Sequence, residues 1–138
     1  MNPATQISFP AISPTCASVP SIRVRCVNLQ SVYNDGAFVL YWMTAFRRLT
    51  YNFALQHAGA WANELGRPLL IMEALRVRYP WACDRFHRFI MDGMIDNATG
   101  CLSAGVPYAA YVEPHLQHGN GLMERLSQDA CMVVTDDF

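Results

Sequence analysis

The sequence predicts an α/β fold: a Rossmann-like, doubly wound and mostly parallel sheet of about four strands with helices on both faces. Three observations predict it. Short apolar runs recur at Phe38 to Met43, Leu69 to Ala74, Tyr108 to Val112 and Cys131 to Thr135. The segments between them keep the 3.6-residue period of amphipathic helices. One device, a glycine with a proline two residues on, twice releases the chain into a strand, in Leu65-Gly66-Arg67-Pro68-Leu69 and in Ala104-Gly105-Val106-Pro107-Tyr108. Connections this short imply right-handed βαβ units.

Residues 1–21 carry Pro3, Pro10, Pro14 and Pro20, are rich in Ser and Thr, and contain no basic residue. They read as a flexible leader, because a secretory signal or transit peptide needs basic residues that this stretch lacks. Residues 22–36 are expected to form an extended arm or short strand: Ile22-Arg23-Val24-Arg25-Cys26-Val27 alternates, and Asn34-Asp35-Gly36 signals a turn. Residues 37–138 make up the α/β domain. Its first apolar run, Phe38 to Met43, suits a strand buried on both faces. Thr50 is the expected N-cap of the first helix. Ala54, Ala58, Trp61, Ala62 and Leu65 then share one face, Gly66 closes the helix, and Pro68 cannot prolong it. In the second helix, from about Asp84 to Ala104, the periodic positions are Phe86, Phe89, Ile90, Gly93, Met94, Ala98, Cys101 and Leu102, and Gly105 ends it. A shorter helix from Gly121 to about Asp129 carries Leu122 and Leu126 four apart.

A chain of 138 residues is one domain's worth. With 52% hydrophobic and 15% charged residues it is not of a disordered type, and it is expected to expose apolar faces that a partner would cover. No apolar run approaches the roughly 20 residues of a membrane span. Five cysteines, at positions 16, 26, 83, 101 and 131, form no metal or disulfide framework, so a reduced, cytoplasmic protein is expected. The net charge of −1 supplies no field to attract a polyanion. All ten basic residues are Arg, several of them grouped: Arg47 with Arg48, Arg76 with Arg78, Arg85 with Arg88. Such groups suit a ligand cleft or docking surface, although coding bias and a solvated helix face produce the same pattern.

The general chemical motifs do not occur: there is no G-x-G-x-x-G after the first strand, no P-loop, no G-x-S-x-G and no H-E-x-x-H. His115-x-x-His118 offers two potential metal ligands, but it lies in a loop without a helix to align the rings or a nearby Cys pair and so reads as solvated, and His87 reads as a hydrogen-bonded helix residue. In an open α/β sheet ligands bind beyond the carboxyl ends of the strands. Those ends carry Thr44, Glu73, Glu113, Asp136 and Asp137. The acidic four could converge on Mg²⁺, but Asp at a strand end more often forms a turn or cap.

The residues resemble the photolyase/cryptochrome family, and within it the class II type of deoxyribodipyrimidine photolyase. Val39-Leu40-Tyr41-Trp42-Met43, Arg47-Arg48 and Asn52-Phe53-Ala54-Leu55 look like the opening of that family's α/β domain. Gly66-Arg67-Pro68-Leu69-Leu70, Tyr79-Pro80-Trp81-Ala82, Arg85-Phe86-His87-Arg88-Phe89 and Val133-Val134-Thr135-Asp136-Asp137-Phe138 follow in order, and Arg23 to Asn28 is similar to the arm before the domain. Thr50-Tyr51-Asn52 departs from relatives that have an acidic residue before the Asn.

The resemblance implies an amino-terminal α/β domain of a light-driven DNA repair lyase. In the family this domain holds an antenna pigment, a deazaflavin or a folate, in a cleft that would involve Trp42, Arg47, Arg48, Glu73 and Asp136. A carboxyl-terminal helical domain binds FAD and the DNA lesion. No FAD site is expected in these residues, so the partner is that helical domain, in the same protein or in trans. DNA is reached only through it, and this chain by itself is expected to be inactive. Two other readings stand beside this one: a small nucleotide- or metal-binding protein using the acidic strand ends, and a truncated remnant.

Overall fold

The computed structural model describes residues 19–137. Most of the expected leader, residues 1–18, lies outside the described residues. The arm begins with a 3₁₀ turn at Ser21–Arg23 and continues extended, without strand pairing at residues 24–27. Four strands follow: β1 (Phe38–Met43), β2 (Leu69–Leu75), β3 (Tyr108–Val112) and β4 (Ala130–Thr135). Three helices connect them: α1 (Phe53–Leu65), α2 (Asp84–Ala104) and α3 (Leu122–Gln128). All pairings are parallel, in the order β3-β2-β1-β4. The α/β doubly wound class read from the apolar runs is the one observed.

The order explains the burial. β1 has a neighbour on each side and β2 lies between β1 and β3, so their apolar runs are covered above and below, and Val39, Leu40, Tyr41, Leu69 and Ile71 are fully buried. Successive strand residues point to opposite faces. Val39, Tyr41 and Met43 therefore join Leu69 and Ile71 under Leu55, Ala58 and Ala62 of α1 and Cys101 of α2. Leu40 and Met72 face the other way, with Phe38, Trp42 and Leu70, toward Leu122, Met123 and Leu126 of α3. The second face is covered less completely: Leu70, Ala74, Ala109 and Tyr111 are only half-buried.

α1 starts two residues later than Thr50 would place it. Tyr51 has a left-handed φ of 51°, which interrupts the chain before the helix. Asn52 is the N-cap, its side-chain oxygen accepting the Leu55 N–H at 3.0 Å. Both expected glycine stops occur: Gly66 (φ 61°) and Gly105 (φ 67°) take left-handed conformations that an L side chain strains to adopt. Among the described residues, no helix is long and apolar enough to cross a membrane.

The turn into β1 depends on a close backbone approach. Ala37 N–H donates to the Asp129 carbonyl at 2.8 Å and Tyr33 N–H to the Cys131 carbonyl at 2.9 Å, so the chain grazes β4 at Gly36. A Cβ at Gly36 would stand 2.7 Å from the Ala130 carbonyl carbon and from the Cys131 Cα. Backbone atoms cannot rotate aside, so Gly36→Ala is expected to destabilise by about 1–3 kcal/mol. A urea unfolding midpoint equal to that of the parent would contradict this.

Candidate functional site

The sheet reverses direction at β1, because α1 carries the chain to β2 on one side while β4 returns on the other. The crevice beyond the carboxyl ends of β1 and β4 is where such sheets bind ligands. Here Asp136 fills it. One carboxylate oxygen accepts the N–H groups of Thr44 (2.8 Å) and Ala45 (2.9 Å). The other accepts the N–H of Phe46 (2.8 Å) and the Tyr41 hydroxyl (2.9 Å), while the Thr44 hydroxyl closes on the first oxygen. Three successive amides converging on a carboxylate make an anion nest. The nest is occupied from within the chain.

Asp136 is 8% exposed. Burial alone would raise its pKa, but the bonds from the Thr44 hydroxyl and the amides of residues 44 to 46 outweigh it and hold the carboxyl below its usual range. Tyr41 in turn accepts from the Asn52 amide at 2.8 Å, and that amide also reaches the carbonyls of Phe46 and Arg48 at 3.0 Å. Burial, with Asp136 beside it, pushes the Tyr41 phenol well above its ordinary range. The hydroxyl stays neutral and donates.

Glu73, two residues before the end of β2 and level with Met43 of β1, is fully buried. Arg47 bridges to one oxygen at 3.0 Å and donates through its other nitrogen to the Ala74 carbonyl at 2.8 Å. Asn97 (2.9 Å) and the Tyr108 hydroxyl (2.6 Å) donate to the second oxygen. Burial and the nearby Glu73 charge push the Cys101 thiol up to about 11, so it is a poor nucleophile at neutral pH.

The five residues expected around a pigment cleft thus separate. Arg47 meets Glu73, and Asp136 lies behind the same loop. Trp42 pairs with Met72 in register and packs on the opposite face, with the α3 cluster. Arg48 is exposed, its guanidinium 5.5 Å from the centre of the Phe46 ring. Glu113 is buried and accepts the Val77 N–H at 2.9 Å, while Asp137 pairs with Arg25 at 3.1 Å. The acidic strand ends do not converge: among the described residues no three His, Cys, Asp or Glu side chains are grouped to hold a metal ion.

Four partners were not anticipated as site residues. Tyr41 and Tyr108 were read only as strand residues, although a buried phenol hydroxyl needs a partner. Asn52 was hidden behind Thr50. Asn97 stands on the buried stripe of α2 between Met94 and Cys101, and a polar residue on an apolar stripe is the signal that could have found it.

The open feature at this edge is a groove of about 250 Å³ lined by Arg47, Phe89, Ile90, Asp92, Gly93 and Asp96. Phe89 is 77% exposed. The groove places beside an aromatic face a guanidinium whose terminal nitrogens already donate to Glu73 and Ala74, with the carboxylates of Asp92 and Asp96 on the same lining, chemistry suited to a planar ring bearing carbonyl and N–H groups rather than an anion.

No family model matches the chain. It is similar to a deoxyribodipyrimidine photo-lyase of Methanothermobacter thermautotrophicus, with 29% identity over 114 residues that cover 83% of this chain and 25% of that protein. The chain therefore spans about a quarter of the relative's length. That similarity points the same way as the resemblance read from the motifs.

Two predictions test the buried carboxylates. An Asp with a lowered folded pKa contributes stability that is present above its unfolded value, near 3.8, and is lost as pH falls through the folded value. Asp136→Asn should therefore lose about 1–3 kcal/mol at pH 7 and show a flatter acid limb in pH-dependent melting. An equally steep limb would remove Asp136 as its source. Arg47→Met should cost about 2 kcal/mol by leaving Glu73 without its cation, a figure reduced because Arg47 is partly exposed. Adding Glu73→Gln should recover part of that loss in a double-mutant cycle. Strictly additive losses would show that the pair is not coupled.

Proposed function

We propose that this chain is the amino-terminal α/β unit of a photolyase-like protein of the photolyase/cryptochrome family, resembling its class II type. The observation that carries the reading is the similarity across 114 residues to a photo-lyase of deoxyribodipyrimidines. The parallel sheet in the order β3-β2-β1-β4 is compatible with it. On this reading light-driven repair belongs to the complete protein. An FAD-binding helical domain, in the same protein or in trans, performs it and makes the contact with DNA. The α/β unit is a cytoplasmic accessory without lyase activity of its own.

Its own contribution would be an antenna pigment, a deazaflavin or a folate, which absorbs near-ultraviolet light and passes on the excitation. The groove beside Arg47 fits part of such a molecule. Its volume of about 250 Å³ falls below the roughly 300–1,000 Å³ of enclosed ligand sites. Arg47, through the hydrogens it does not give to Glu73 and Ala74, would hold a carbonyl edge, Asp92 or Asp96 would accept from a ring N–H, and Phe89 would stack on a ring, while the rest of the pigment would lie under the helical partner. This support favours the photolyase-like reading over a stand-alone metal-binding protein, because the oxygens of Glu73 and Asp136 already accept hydrogen bonds within the chain.

Titration of the purified chain with a deazaflavin and with a reduced folate, followed by fluorescence and thermal melting, tests the proposal. One pigment should raise the melting temperature, and Phe89→Ala should weaken its binding about tenfold, the loss of one stacked ring of roughly 1.4 kcal/mol. If neither pigment binds, and no separately expressed FAD-binding helical domain associates with the chain, the reading is overturned.

A further inference from the structure

Residues 113–121 connect β3 to α3, and a buried carboxylate organises them from beneath. Glu113 accepts the Val77 N–H at 2.9 Å and also the backbone amides of Gln117 and Gly119. Gln117 takes a left-handed φ of 69°, and the His118 N–H donates to the His115 carbonyl at 3.1 Å. The turn brings the two imidazoles edge to face, with ring centres 4.8 Å apart. Tyr111 supports the pair from β3: its hydroxyl lies 2.8 Å from His118 Nδ1, and the two rings are 12° from parallel. A Cβ at Gly119 would stand 2.9 Å from the Tyr111 ring, so the bare backbone there is what admits the tyrosine.

The spacing has a chemical meaning. A metal bound to ring nitrogens at about 2.0–2.1 Å lies about 3.2 Å from each ring centre, so two imidazoles sharing one ion at angles from about 90° to tetrahedral stand roughly 4.5–5.2 Å apart. The observed separation falls inside that interval. We propose that His115 and His118 share a late first-row divalent cation, with Tyr111 as the positioning residue. When Nδ1–H of His118 donates to the Tyr111 oxygen, Nε2 carries the free lone pair, the arrangement in which a second hydrogen bond orients a metal-ligating histidine. Imidazole pairs select Cu²⁺, Ni²⁺ and Zn²⁺ over Mg²⁺. Among the described residues no third His, Cys, Asp or Glu side chain completes the set. The site is therefore open, and its remaining positions face water or a small anionic ligand in the adjoining cleft of about 370 Å³ that Tyr111, Asn120 and Leu122 help line.

Calorimetric titration of the full chain with Cu²⁺, Zn²⁺ and Mg²⁺ tests this, on a background in which Cys16, Cys26 and Cys83 are replaced by Ser so that thiols do not compete. One equivalent of Cu²⁺ should bind more tightly than Zn²⁺, and Mg²⁺ should not bind. Electron paramagnetic resonance of the Cu²⁺ form should show two coupled imidazole nitrogens, falling to one in His115→Ala or His118→Ala. Both residues are exposed, so these variants should fold, which circular dichroism checks. Tyr111→Phe should keep both nitrogens and weaken binding about tenfold. Absence of Cu²⁺ binding at millimolar concentration, or binding unchanged in both histidine variants, overturns the site. Unchanged affinity in Tyr111→Phe overturns the positioning role.

Discussion

The Asp136 carboxylate accepts hydrogen bonds from three consecutive amides of the loop that leaves β1, and the carboxyl edge of the sheet is arranged around that contact. It joins the last strand to the first across more than ninety residues of sequence. It fixes the direction in which the chain leaves β1, and so the approach to Asn52 and the start of α1. Arg47, carried on the same loop, is thereby held over Glu73. The two buried carboxylates consequently act in series: one shapes the loop, and the other receives the side chain that the loop presents.

This arrangement changes what the edge can do. In many α/β sheets, amides at the switch point are left for a phosphate or other anion. In this chain they are satisfied by an internal acid, and the groove between Arg47 and Phe89 lies outside them. Tyr51, Trp81 and Phe89, on the segments that follow β1 and β2, are all largely exposed, and aromatic residues are enriched at protein interfaces.

The fold was legible because its signals are local. Four apolar runs, two glycine stops and the helical periods each lie within one element, and the parallel class follows from their alternation. The site was legible only as a set of positions. Glu73 and Asp136 were found at strand ends, but the donors that satisfy them come from 24, 26, 35 and 90 to 95 residues away. No local pattern shows such pairings. Trp42 and Glu73 share the carboxyl edge in sequence terms, yet Met43 is the register partner of Glu73, which puts Trp42 on the opposite face. The start of α1 was misplaced for a similar reason: Thr50 and Asn52 are both good caps, and the choice depends on the left-handed turn at Tyr51.

The place of β4 in the sheet bears on how the chain folds. β1, β2 and β3 pair in sequence order through short crossovers, whereas β4 must close a loop of about ninety residues to reach the free side of β1. Closure of that length carries a larger entropic cost and slows assembly relative to the local βαβ units. Until β4 docks, one edge of the most apolar strand is unpaired. During synthesis on the ribosome, that edge is the first surface through which a nascent chain would associate with a neighbour instead of completing its own sheet.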